Sequence, residues 1–119
     1  MTMIDWIPNT YRMSSQTVTI PFSAICSITN EPFSGDIMIV IDPNERCLEY
    51  CSVDRFVKEL YSRVMTHEQV AREVFNEVES ALGPRMMLFV EVRVTSAVHP
   101  PAVVRCTYSE LGSELEQEE

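Results

Sequence analysis

The chain has 119 residues, 45% of them hydrophobic, and a formal net charge of −9 at pH 7. That length suits a single domain, residues 1–119, and is short for two. The acidic balance and scattered basic residues disfavour direct nucleic-acid binding, whose affinity comes from Lys and Arg on phosphates.

Residues 1–16 form a lead-in, in which Trp6, Ile7 and Tyr11 are expected to pack on the body or on a neighbouring subunit. Gln16 to Ile20 alternates polar and apolar residues, which predicts a strand limited by Pro21. Phe22 to Ile28 carries Cys26 in an apolar setting. Asn30 to Gly35 is rich in turn formers and reads as a loop. The β-branched run Ile37 to Ile41 predicts a second strand, ended by Asp42-Pro43-Asn44.

Val53, Phe56, Val57, Leu60 and Val64 recur at helical steps and predict a helix over 53–64. Thr66-His67-Glu68-Gln69 then has the form of a capping box, Thr66 capping and Gln69 reaching back. The helix it opens has Val70, Val74, Phe75, Val78 and Leu82 on one side and stops at Gly83-Pro84. Met87 to Val94 alternates as a strand. His99-Pro100-Pro101 makes a turn, and Val103 to Thr107 returns as the last strand. Residues 109–119 are an acidic tail with a loose end. The order is β-β-α-α-β-β, an α+β pattern.

No apolar run approaches the ~20 residues of a membrane span. The first residues lack a basic start followed by an apolar run, so a cytoplasmic location without a membrane partner is expected. In that setting Cys26, Cys47, Cys51 and Cys106 are expected to be reduced. The spacing Cys47-x-x-x-Cys51 is not the tight pair of a zinc site, and neither His67 nor His99 has a second His nearby, so no metal is expected.

Several residues could carry chemistry. A thiolate at Cys26 can attack carbon, although a cysteine in an apolar stretch is also an ordinary core residue. Glu68 can accept from a ring N–H and an adjacent amino group at once. It would also suit a helix first turn for purely electrostatic reasons. His67 could be an exposed helix-start histidine, and Glu49 a surface carboxylate.

The order and spacing of these pieces resemble the QueF family, the nitrile reductases of queuosine biosynthesis. That family typically reads C-P-V-T-G-Q-P-D, then a proline, then C-V-E-S-K-S-L-K, then F-H-E. Cys26, Thr29 and Pro32 match the first segment, and Pro43 the intermediate proline. Cys47, Glu49 and Ser52 match the second, and His67-Glu68 the third. The match extends to the Leu82-Gly83-Pro84-Arg85 turn and covers roughly half to two thirds of the chain.

The resemblance implies a tunnelling fold: a four-stranded antiparallel sheet with two helices on one face. It also implies a homo-oligomeric ring built from pentamers, with active sites between subunits. It makes Cys26 the nucleophile that forms a thioimide with the nitrile of 7-cyano-7-deazaguanine (preQ0). Glu68, His67 and Glu49 then hold the 7-deazaguanine base.

Three departures stand beside the match. The family aspartate, at the seventh position after the cysteine, is Phe33 here, and Asp36 is offset from it. The two family lysines are Cys51 and Asp54, which implies that the NADPH motif is lost and no cofactor is expected. The family's R-G-G-I segment gives way to Thr95-Ser96-Ala97-Val98. The expected function is therefore 7-deazaguanine binding, with nitrile transformation that does not use NADPH. Archaeal QueF-like amidinotransferases of archaeosine synthesis provide the parallel. The alternatives are an NADPH-dependent nitrile reductase with a rearranged cofactor site, and a non-catalytic purine- or pterin-binding or ring-forming subunit.

Overall fold

Alternating apolar residues on four long strands, together with two amphipathic helices, fix where the core lies. A computed structural model describes residues 3–83 and 87–107. Its elements are β1 (Trp6–Pro8), β2 (Gln16–Cys26), β3 (Pro32–Ile41), β4 (Arg46–Leu48), α1 (Tyr50–Lys58), β5 (Val64–Met65), α2 (His67–Leu82), β6 (Leu88–Ser96) and β7 (Ala102–Thr107).

The main sheet runs β5-β2-β3-β6-β7. Strands β2, β3, β6 and β7 pair antiparallel, as the expected four-stranded sheet requires. The sheet is nevertheless five-stranded and mixed, because β5 adds to β2 in parallel, with Ile25 opposite Val64 and Cys26 opposite Met65. A strand of two residues shows no alternation, so pattern alone does not reveal it. It ties down the end of β2 that carries Cys26: Ile25 N–H donates to Arg63 O at 2.9 Å, and Ser27 N–H to Met65 O at 3.2 Å.

One sheet face is apolar. Ile20, Phe22 and Ala24 on β2, Ile37, Ile39 and Ile41 on β3, and Leu88, Val90, Val92 and Val94 on β6 are all buried. Val53 and Val57 of α1, and Val70, Val74 and Val78 of α2, complete the core. Fully burying one such side chain stabilises the fold by about 1.5–3 kcal/mol before entropy is counted.

Other boundaries differ from the sequence expectations for identifiable reasons. β2 runs through Pro21, which pairs with Asp36. β5 reaches only Ile25 and Cys26, so β2 is an edge strand at Pro21, where a missing N–H is tolerated. β3 begins at Pro32, inside the expected loop, and carries a register shift at Ser34/Gly35. A Cβ on Gly35 would lie 1.8 Å from Arg93 O, so only glycine permits this backbone approach.

Helix α1 starts at Tyr50 rather than Val53, because Glu49 caps it, and it ends at Lys58. Tight i→i+3 bonds then turn the chain, keeping Leu60 buried and delivering Val64 to β5. Thr66 caps α2 as expected, its hydroxyl accepting from Gln69 N–H at 3.0 Å. Gln69 does not reach back; its amide donates to Glu73 Oε2 at 2.9 Å. Gly83, at φ 79°, ends α2, while Pro84, Arg85 and the acidic tail 109–119 lie outside the described residues.

The lead-in is more built than expected. Strand β1 pairs with β4 as a separate ribbon, and Ile4 enters the core. Glu77 of α2 accepts from the N–H groups of Met3 and Ile4. Trp6, Ile7 and Tyr11 remain largely exposed; Trp6 lies under the Arg46 guanidinium, 4.5 Å from its ring centroid. Among the described residues no helix is long and apolar enough to cross a membrane.

Candidate functional site

Cys26 is the last residue of β2, and its backbone closes the turn that follows. Its N–H donates to Glu31 O at 2.9 Å, and its carbonyl accepts from Asn30 N–H at 2.8 Å. Asn30 sits at φ 59°, a left-handed position that asparagine tolerates. This turn aims donors at the half-buried sulfur. The Thr29 hydroxyl contributes most to holding the Cys26 thiol below its ordinary pKa, followed by the backbone N–H groups of Thr29 and Ile28. Partial burial and the charge of Glu68 push the other way and are outweighed. Thr29 Oγ1 also accepts from Glu31 N–H at 3.2 Å, which orients the hydroxyl. The result is a thiol with increased thiolate character, the reactive form of cysteine.

The start of α2 faces this sulfur. Cys26, Thr66, His67 and Glu68 line one cleft of about 270 Å³, with Ile28, His99 and Ala102 completing its wall. Parallel pairing of Met65 with Cys26 explains the approach, because α2 begins immediately after β5. His67 is buried, and its Nε2 lies 2.8 Å from Val92 O. A carbonyl only accepts, so Nε2 carries the proton and the ring is anchored to β6. Glu68 is exposed at the first turn, where an anion is favoured by the helix dipole.

Glu49 does not line this cleft. Its carboxylate caps α1, accepting from Cys51 N–H at 2.7 Å and Ser52 N–H at 3.0 Å. The Cys51 N–H is the main reason its pKa lies below the ordinary carboxylate value. Within one chain, then, Cys26, His67 and Glu68 come together and Glu49 stands apart.

The two positions that bear on an acid near the sulfur are also fixed. Phe33 is 2% exposed and packs edge-on against Phe22, with centroids 5.8 Å apart, so its side chain belongs to the core. Asp36 lines a separate cavity of about 100 Å³ with Thr19, Met38, Glu91 and Arg93. Its partner on β2 is Pro21, five residues from Cys26 and so ~16 Å along the strand. Asp36 therefore cannot replace an aspartate beside Cys26.

His99, which the sequence places in a turn, also lines the cleft. Pairing of Ile25 with Pro32, and of Ser34 with Ser96, puts the β6–β7 hairpin at the Cys26 end of the sheet. Strand order could have pointed to it, but local pattern could not. Among the described residues no group of three or more His, Cys, Asp and Glu side chains is gathered as a metal site.

No family model matches the chain. It is 30% identical over 74 residues to an NADPH-dependent 7-cyano-7-deazaguanine reductase of Sulfurimonas denitrificans. That alignment spans 61% of this chain and only 59% of the relative. A reductase of the same name from Chlorobium chlorochromatii is 28% identical over 86 residues, 70% of this chain and 74% of the relative. Among solved structures, the apo crystal structure of the archaeosine synthase QueF-Like is similar, with a TM-score of 0.74 at 17% identity. It covers 80% of this chain and 93% of that one. At such identity the likeness speaks for fold alone, and two helices on a curled, mainly antiparallel sheet fit the α+β tunnelling fold.

Proposed function

We propose that this chain is a member of the QueF family, like the reductases it resembles in sequence, and that it binds 7-cyano-7-deazaguanine, or a related 7-deazaguanine, in the cleft between Cys26 and α2. The observation that carries the reading is the meeting of a thiol of lowered pKa with Glu68 and His67 in one cleft. Glu68 pairs with the base through a ring N–H and the adjacent amino group. Cys26 adds to the nitrile carbon and forms a thioimide. A nitrogen nucleophile such as ammonia then displaces the thiol and leaves an amidine, an amidinotransferase-like outcome.

The reaction proposed does not use NADPH. Cys51 and Asp54 stand where the resemblance places lysines. Asp54 is ion-paired with Lys58 at 2.9 Å, and Arg55 lies 3.8 Å from Asp5. The described face of α1 thus pairs its cations with carboxylates, which does not suit a dinucleotide phosphate. The runner-up is a reductase with a cofactor site elsewhere, favoured by the names of the sequence relatives. Oxidation of NADPH dependent on the nitrile would establish it. A binding-only subunit is favoured by the burial of Phe33, which removes an acid from the sulfur's neighbourhood.

Among the described residues no strand pairs with the outer edge of β7, which supports assembly into a homo-oligomeric ring; we propose it to be pentamer-based, with Glu49 contributing from a neighbouring subunit. Calorimetric titration with 7-cyano-7-deazaguanine tests the binding step. The expected result is saturable binding to the wild type that Glu68→Gln weakens at least tenfold. Equal binding by the two proteins would remove Glu68 from the base, and no binding by either would refute the reading.

A further inference from the structure

We propose that His99 is the acid–base partner of Cys26, carrying the proton that thiol addition to a nitrile must move. This rests on the nitrile reading above and assigns a catalytic group to it. The addition needs such a group. When sulfur bonds to the nitrile carbon, one π pair of the C≡N bond moves to nitrogen, which must take up a proton.

The cleft offers few candidates. Among the described residues, its titratable groups besides Cys26 itself are His67, Glu68 and His99. Phe33 is in the core, and Asp36 is on the other face of the sheet. Glu68 is assigned to the base, where it acts as an acceptor.

The two histidines differ in which nitrogen is engaged. His67 uses Nε2, the outer ring nitrogen, on Val92 O at 2.8 Å. What remains is Nδ1, which adjoins the ring's attachment to its own backbone, and the residue is buried. His99 is the reverse. Its Nδ1 lies 2.7 Å from Pro100 O. That carbonyl can only accept, so Nδ1 carries the proton, and Nε2 of the neutral ring is a lone-pair acceptor. Among the described residues Nε2 has no hydrogen-bond partner. The half-buried ring sits on the hairpin that joins β6 to β7, at the cleft wall. His67 is thus held as a structural anchor, and His99 presents its outer nitrogen for proton transfer.

The step balances within the site. His99 Nε2 takes the S–H proton of Cys26, giving thiolate and imidazolium. The thiolate forms the S–C bond, a C≡N π bond breaks, and the imidazolium returns the proton to the nitrile nitrogen. The products are a thioimide, S–C(=NH), and neutral His99, with no oxidant, reductant or further proton required.

The test compares wild type with His99→Gln in two reactions at Cys26, the first of them at a series of pH values. Thioimide formation with 7-cyano-7-deazaguanine is timed by quenched intact-protein mass spectrometry. Alkylation by iodoacetamide, in alkaline buffer where the thiol is already ionised, is timed by peptide mapping. The variant is expected to form the adduct roughly 10²-fold more slowly or worse, to lose the histidine limb of the pH profile, and to alkylate at the wild-type rate. The groups facing His99 that could shape that limb are Cys26, His67 and Glu68; His67→Gln, keeping the limb, separates them. An adduct rate and pH profile unchanged in His99→Gln would overturn the assignment and leave the nitrile reading standing. Equal loss of both reactions would also overturn it, by making His99 a support for the hairpin. No adduct in the wild type would sink the assignment together with the thioimide step on which it rests.

Discussion

The side chain of Gln16 pairs with the backbone of Leu48 as a neighbouring strand would: Nε2 donates to Leu48 O at 3.0 Å, and Oε1 accepts from Leu48 N–H at 2.7 Å. Both residues are buried, so β4 hangs from β2 through one amide. The next residue, Glu49, is fastened from the other side, its N–H donating to Asp5 O at 3.0 Å. Gln16→Leu leaves two buried backbone groups unpaired. It should cost about 1–3 kcal/mol for each, read as a lower urea midpoint. Hydrogen exchange should show the loss of protection concentrated at Leu48 and Glu49. A neutral substitution would mean that water satisfies Leu48.

The thiol of Cys26 should alkylate with a pH midpoint below that of free cysteine, because the turn donors stabilise the thiolate. Thr29→Val removes the largest of those contributions and should move the midpoint up. Peptide mapping after iodoacetamide treatment isolates Cys26 from the exposed Cys51. An unchanged midpoint in Thr29→Val would place the effect in the backbone N–H groups alone.

Glu49 has a folded-state pKa below the ordinary carboxylate value. A depressed pKa stabilises the fold above the unfolded-state value, and that contribution is lost as pH falls through the folded-state value. Glu49→Ala should therefore destabilise at neutral pH, with the gap to wild type closing in acid. Thermal unfolding at a series of pH values measures it; a gap constant with pH would mean that charge plays no part in the cap.

Phe33→Asp restores a carboxylate at the family's aspartate position and should fail as a repair. Losing a core phenyl ring costs about 3–5 kcal/mol when it is truncated to alanine, and a buried unpaired charge adds to that. The variant should be unfolded or severely destabilised by circular dichroism. A folded Phe33→Asp protein with a faster thiol addition would show that β3 can turn that side chain toward the sulfur.

Much of this was legible in the sequence because it follows from local rules. Ile37 to Ile41 announces a strand by β-branching, Thr66 marks a helix start, and Gly83 marks its end. The QueF resemblance marks Glu68 and Cys26, and the fold brings them to one cleft. What escaped depends on tertiary pairing. Two residues, Val64 and Met65, make a strand only because β2 offers its end. Pro21 looked like a stop because sequence does not say that β2 is an edge there. Glu49 looked like a surface acid, but it sits one residue before a helix that begins earlier than its apolar stripe. His99 joins the cleft through a register set at Ser34 of β3, far from it in sequence.

The most direct measurement is the intact mass of the protein after incubation with 7-cyano-7-deazaguanine, with Cys26→Ala as the control. The account predicts a mass increase equal to the whole ligand on the wild type and none on the variant. A wild type that keeps its mass, or an adduct that persists in Cys26→Ala, would contradict the assignment of Cys26 as the nucleophile.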